Sequence, residues 1–248
     1  MPPSPSPAER VLIALDVSSL DEADALLGRL DGILTGCKIG SQLFTAAGPS
    51  AIEMARKRGF RVFLDLKYHD IPNTVGLAVR EATRLGVFML NIHASGGLLM
   101  ARGAAEAATK AAGDFATPRP LCLGVTVLTS LDRRALQREV GVPTSVESHV
   151  LHLAALAREA GLDGCVASPQ EISPLRLAMG PAWVIVTPGI RWEQSAPGAA
   201  RTDDQIRIAT PRRALAAGAD YLVVGRPISA AKDPAAAAAA IVAELGAP

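Results

Sequence analysis

Short apolar runs rich in Val, Ile and Leu recur along this chain, separated by segments whose apolar residues fall at three- and four-residue spacing. No other feature restricts the fold as much. Uninterrupted apolar runs are what strands need when helices cover both faces of a parallel sheet. The clear ones are Val11 to Leu15, Arg61 to Leu64, Val87 to Ile92, Leu121 to Thr126, Gly164 to Ala167, Trp183 to Val186 and Tyr221 to Val224, with a weaker eighth at Gly36 to Ile39. Ala23 to Leu30, Val75 to Leu85 and Val146 to Ala160 carry helical periodicity, and Gly follows many such segments as a stop. Eight strand–helix units in 248 residues predict one α/β domain, a (β/α)8 TIM barrel over residues 10–248, behind a disordered tail at residues 1–9. An open doubly wound sheet would use the same alternation.

The polar residues favour the barrel. Almost every run ends in a charged or hydroxyl-bearing residue: Asp16, Lys38, Asp65, His93, Thr126, Ser168, Thr187, and Gly225 with Arg226. In a barrel all C-terminal strand ends open onto one face, where the active site is built.

Composition narrows the function. The chain is 49% hydrophobic and 20% charged, enough to bury a large core. With 25 Lys and Arg against 24 Asp and Glu and no basic run, it lacks the footprint of a nucleic-acid binder. Cys37, Cys122 and Cys165 are widely separated, odd in number and show no CxxC spacing, which fits a reducing cytoplasm. The Pro- and Ser-rich start, Met1 to Pro7, shows neither the basic residues nor the apolar stretch of a signal peptide. Nor is a membrane span expected: the Ala-rich stretch from Ala230 to Leu245 is interrupted by Lys232, Asp233, Pro234 and Glu244 and reads as a final surface helix.

The richest chemistry lies between Val62 and Thr74, where an apolar strand runs into Asp65, Lys67, His69 and Asp70. Side chains two apart on a strand share a face, so Asp65 and Lys67 should both point into the barrel mouth. Asp70 lies past the strand end, before Pro72 forces an extended turn, and can reach a neighbouring subunit. The plainer reading is a structural ion pair, with Asp70 capping a helix that starts near Asn73. Asp16 and Lys38, at other strand ends, argue against it by adding a second carboxylate and a second ammonium to the same mouth.

Asp65-Leu-Lys-Tyr-His-Asp-Ile-Pro-Asn-Thr74 does not stand alone. Together with Ala14-Leu-Asp16, Lys38-Ile-Gly40, Asn91-Ile-His-Ala-Ser-Gly-Gly97, Val125-Thr-Val-Leu-Thr-Ser130, Val186-Thr-Pro-Gly-Ile-Arg191, Asp204-Gln205 and Val224-Gly-Arg-Pro227, it resembles the orotidine 5'-phosphate decarboxylase family, in order, from about residue 11 to about residue 235. The resemblance implies decarboxylation of orotidine 5'-phosphate to UMP, the last step of de novo pyrimidine nucleotide synthesis, without a cofactor or metal. It implies that Lys67 stabilises the negative charge developing at C6 and donates the proton, held by Asp65 and by Asp70 of the other subunit in a homodimer. Lys38 completes the charge network. Asp16 and Lys38 match contacts to the ribose hydroxyls, with the partner subunit's Thr74 nearby. Thr129, with Ser130 as the alternative, matches the reader of the pyrimidine edge. His93 matches a residue near the site with no required chemical step, and a lone His at a strand end is more often structural.

Barrels commonly bind phosphate on the loops after strands seven and eight. Pro188-Gly-Ile-Arg191 and Gly225-Arg226 occupy those places, offering close backbone approach and two guanidinium forks. Gln205 matches a third family donor, with Gln194 as the alternative, and residues 192–204 read as a mobile lid. Two rivals remain. A magnesium-dependent sugar-phosphate decarboxylase of the 3-keto-gulonate 6-phosphate type shares the DxKxxD motif, but magnesium would want more free carboxylates than a lysine-rich mouth offers. A non-catalytic nucleotide-binding barrel is the other.

Overall fold

The computed structural model describes residues 5–192 and 209–246. Eight parallel strands close into a barrel in chain order: β1 (Val11–Ala14), β2 (Gly36–Gly40), β3 (Arg61–Tyr68), β4 (Met89–His93), β5 (Leu121–Val125), β6 (Gly164–Val166), β7 (Val184–Thr187) and β8 (Tyr221–Val224). β8 pairs with β1, Val11 facing Leu222, which shuts the sheet and excludes the open doubly wound alternative.

The two-residue period of a strand divides its side chains between two cores. Leu12, Ala14, Phe63, Met89, Leu123, Val125, Val166, Val186, Tyr221 and Val223 fill the barrel interior. Their neighbours Val11, Ile13, Val62, Leu64, Leu90, Cys122, Cys165, Ile185, Leu222 and Val224 face outward into the helix layer. Both cores are apolar, so the strands read as continuous hydrophobic runs. The interior core is a packed floor, and the site must lie above it.

Three helices begin where a hydroxyl accepts a backbone N–H left over in the first turn. Ser19 accepts from Glu22 ahead of the helix Leu20–Gly28, Ser145 from Ser148 ahead of Val146–Glu159, and Thr210 from Arg213 ahead of Pro211–Ala216. The helix Ile172–Met179 stops at Gly180, whose φ of 78° an L side chain adopts only under strain. Cys37, Cys122 and Cys165 are all free and buried, and burial pushes each thiol up to about 12.

Two expectations need correction. The tail predicted over residues 1–9 is already structured at its C-terminal end, because Pro7–Arg10 forms a helical turn. Ser6 and Glu9 cap each other there, and Arg10 donates to the Asp220 carbonyl at 3.3 Å, tying the turn to the loop before β8. Residues 1–4 lie outside the described residues. The Ala-rich stretch forms its final helix at Pro234–Gly246 and not from Ala230, since Pro234 suits a first helical turn. Among the described residues no helix is long and apolar enough to cross a membrane.

Candidate active site

At the C-terminal ends of the strands a cavity of about 800 Å³ opens above the Phe63, Val125, Val166 and Val223 floor. Asp16, Lys38, Asp65 and Lys67 line it, as do Arg191, Gly225 and Arg226, with Thr129, Pro188 and Gly189 also on its wall. The loop before the undescribed residues is drawn in by Gly189, at φ 80°, and by Arg191 N–H donating to Ala209 at 2.9 Å.

The four charged residues alternate in sign across three adjacent strand ends. Lys38 Nζ lies 2.9 Å from Asp16 Oδ1 and 3.7 Å from Asp65 Oδ2, and Lys67 Nζ lies 2.8 Å from Asp65 Oδ1. The Lys38 and Asp65 side chains are only 10% and 13% exposed. A buried charge with no opposite partner would be costly, and each of these two has a close one, Asp16 for Lys38 and Lys67 for Asp65, besides facing the other. Asp65 therefore holds two ammonium groups apart at fixed positions, which is electrostatic preorganisation at the mouth.

Strand alternation correctly brings Asp65 and Lys67 together, yet the backbone between them is irregular. Leu64 pairs with Leu90 and Tyr68 with Ile92, so three residues of β3 face the single residue Asn91 of β4. Lys67 takes up the excess with φ 52°, a left-handed conformation that costs a non-glycine residue about 1–3 kcal/mol. Fully buried Asn91 supports it, its Oδ1 accepting from the Lys67 backbone N–H at 2.8 Å. The same amide donates from Nδ2 to Asp65 Oδ1 at 2.7 Å. Sequence reasoning did not single Asn91 out; the signal was a polar residue at an inward-facing position of an apolar strand.

The remaining expectations divide. Thr129 lines the cavity, whereas Ser130 is exposed and does not. Asp70 and Thr74 are exposed, and neither lines this chain's own cavity. Asp70 turns its Oδ1 to the backbone N–H of Ile71 at 2.6 Å, and the helix Pro72–Arg84 that follows has no side-chain cap. Asp70 is thus not the helix cap of the plainer reading. Thr126, Ser168 and Thr187 do not open onto the cavity as their strand-end places suggested. They are buried in the barrel wall, where Thr126 donates to the Val166 carbonyl and Ser168 to Glu171. Thr187 has the parity of Ile185, which faces the helices, while Val186 faces the interior. Gln205, Gln194 and all of the lid but Trp192 lie outside the described residues; Trp192 lines the cavity.

His93 is off the cavity wall, its ring 5.3 Å from that of His69. Burial, then the neighbouring His69 and Lys67, hold its imidazole below the ordinary histidine range, which favours the neutral form.

Known proteins resemble this chain along nearly its whole length. The orotidine 5'-phosphate decarboxylase of Moorella thermoacetica is 53% identical over 237 residues, covering 96% of this chain and 92% of that protein. The enzyme of the same name from Pseudomonas aeruginosa is 50% identical over 236 residues, covering 95% and 97%. The crystal structure of orotidine 5'-phosphate decarboxylase from Lactobacillus acidophilus superposes with a TM-score of 0.83 at 35% identity, over 96% of this chain and 100% of that one. A family model described as orotidine 5'-phosphate decarboxylase / HUMPS family matches residues 9–241. On the strength of that match and of relatives at half identity, this chain belongs to the orotidine 5'-phosphate decarboxylase / HUMPS family.

Proposed function

We propose that this protein decarboxylates orotidine 5'-phosphate to UMP, the final step of de novo pyrimidine nucleotide synthesis, with Lys67 as the acid. The observation that carries the reading is the alternating Asp16–Lys38–Asp65–Lys67 series at the mouth of the barrel. Breaking the C6–CO₂ bond leaves an electron pair in the plane of the pyrimidine, where the ring π system cannot receive it. An ammonium group near C6 lowers the energy of that pair in the transition state more than in the ground state. Its N–H then supplies the proton that forms C6–H, leaving a neutral amine for water to reprotonate.

The other assignments follow the wall of the cavity. Asp16 and Lys38 serve the ribose hydroxyls, Thr129 the pyrimidine edge, and Pro188, Gly189, Arg191, Gly225 and Arg226 the phosphate. Gln205 is kept as the third phosphate donor. Two guanidinium groups on the cavity wall suit a dianion, and phosphate binding there supplies free energy that orders the mouth around Lys67. The protein acts as a homodimer in the cytoplasm, with Asp70 and Thr74 completing the partner's site. Exposed placement of both residues, beside the exposed apolar side chains Ile71 and Leu77, supports that sharing.

The magnesium-dependent sugar-phosphate alternative is disfavoured by the commitments of Asp65. One oxygen accepts from Lys67 and Asn91, and the other faces Lys38, where a metal ligand would need open lone pairs. Loss of orotidine 5'-phosphate absorbance with EDTA present tests the reading. Steady loss is expected; binding of UMP without turnover would overturn it in favour of a non-catalytic nucleotide barrel.

A further inference from the structure

The charge network does not explain how Lys67 keeps a backbone conformation that lysine resists. Of the described residues other than glycine, only Lys67 and Ala116 have positive φ, and Ala116 is an ordinary helix C-cap after Leu98–Phe115. At β3 the cause is the bulge: residues 65–67 oppose Asn91 alone, so the main-chain ladder cannot continue between Leu64 and Tyr68. A side chain from β4 takes the place of the missing main-chain acceptor. Asn91 Oδ1 receives the Lys67 N–H at 2.8 Å, and Asn91 Nδ2 donates at 2.7 Å to Asp65 Oδ1, the same oxygen that meets Lys67 Nζ at 2.8 Å.

One carboxamide thus ties the two ends of the lysine, its backbone directly and its ammonium through Asp65. Few side chains can do this. The site needs an acceptor and a donor on one planar group at this length, inside a barrel position with no exposure. Leucine would fill the space and satisfy neither partner; an ionised aspartate would satisfy Lys67 and repel Asp65. The left-handed bulge points the lysine into the mouth, and the amide holds the bulge.

We infer that Asn91 is a positioning residue for the decarboxylation, locking the Lys67 backbone and the Asp65 carboxylate into a single unit. The inference rests on the decarboxylase reading for its kinetic consequences and on geometry alone for its structural ones. A displacement of about 1 Å in a reacting group can cost roughly 100-fold in rate. Asn91→Ala should therefore lower kcat about 100-fold or more while the Kd for UMP stays within about threefold, because the phosphate and ribose contacts lie elsewhere on the wall.

Asn91→Asp gives a readout that a merely structural role would not move. Its carboxyl, buried against Asp65, would be raised above the ordinary aspartate range. Ionised, it repels Asp65; protonated, its carbonyl accepts from Lys67 and its hydroxyl donates to Asp65 as the amide did. The ratio of Asn91→Asp to wild-type kcat should therefore rise as pH falls. The charged or titratable groups around position 91 are Asp65 and Lys67 on β3, Lys38 beyond Asp65 on β2, and His93 further along β4 with His69 beside it; β5 presents the apolar Leu123. Wild type assayed in parallel cancels their titrations.

The decisive experiment measures kcat, KM, UMP affinity and melting temperature for both variants across pH, together with a crystal structure of Asn91→Ala. Support is a kcat loss with UMP affinity kept, an Asn91→Asp ratio that climbs on acidification, and a Lys67 that relaxes from its left-handed conformation or leaves Asp65. A folded Asn91→Ala enzyme with wild-type kcat, or a ratio flat with pH, overturns the inference. If Asn91→Ala does not fold, the Asn91→Asp ratio decides alone. A wild-type protein that turns over no orotidine 5'-phosphate would instead sink the decarboxylase reading, and the crystal structure would still decide whether Asn91 holds Lys67.

Discussion

Lys67 sits where three demands meet: a bulged backbone, a carboxylate partner and an opening to the cavity. If it both stabilises the carbanion and protonates it, Lys67→Ala removes two effects at once. Turnover should fall by roughly 10⁴-fold or more, while UMP affinity, set mainly at the phosphate and ribose ends, should change little. Titration of UMP against the variant alongside a turnover assay checks this, and near-normal kcat would refute the assignment. At this scale the sequence was legible where charge interrupts an apolar strand. Asp16, Lys38, Asp65 and Lys67 stood out because an ion at an inward position must be matched. Asn91 did not, because a neutral amide gives no such alarm, and its purpose appears only once a bulge on the neighbouring strand leaves an N–H to be accepted. Thr126, Ser168 and Thr187 misled for the opposite reason. A hydroxyl at a strand end can face the helices as easily as the mouth: Thr126 is satisfied by the Val166 carbonyl, Ser168 by the Glu171 carboxylate, and the Thr187 hydroxyl is buried in the wall with no hydrogen-bond partner among the described residues.

At the level of elements, all eight strands lie where the apolar runs place them, because two separate apolar cores demand hydrophobic side chains on both faces. β3 is the exception in length. It runs on from Leu64 through the charged residues to Tyr68, a continuation that polarity conceals and that the Asn91 contacts make possible. β4 carries a second consequence at its end. Burial and the positive charge beside it hold the His93 imidazole below its ordinary value of 6.5, so the folded state binds a proton there less readily than the unfolded chain. Stability from this residue is then fully present above about pH 6.5 and is lost as pH falls through the lower folded-state value. Melting temperatures of wild type and His93→Gln between pH 8 and pH 5 should converge on the acid side, with wild type losing more. Parallel curves would show that His93 does not contribute to acid sensitivity.

For the whole molecule, one barrel does not supply every residue that the proposed chemistry assigns. Asp70 and Thr74 follow β3 closely in sequence, yet both are turned out to the surface, at the start of the helix Pro72–Arg84. Exposed Ile71 and Leu77 accompany them, at 66% and 56%, with Leu99 at 71% on the helix that packs alongside. Apolar side chains so placed lose water readily against a second copy of the same surface, and a twofold contact would carry each Asp70 toward the other barrel's mouth. Sharing of this kind has a signature that no single-chain site can produce. Lys67→Ala and Asp70→Ala chains, each inactive alone, should regain activity when mixed and allowed to exchange. In a hybrid dimer one site carries both substitutions and the other carries neither. With random exchange at equal amounts, half of the dimers are hybrids with one intact site of two, so activity should approach about a quarter of wild type per subunit. Recovery should follow the rate at which differently tagged subunits exchange. Tagged subunits that mix fully without any return of turnover would mean that Asp70 acts within its own chain or takes no part, and the homodimeric site would have to be abandoned.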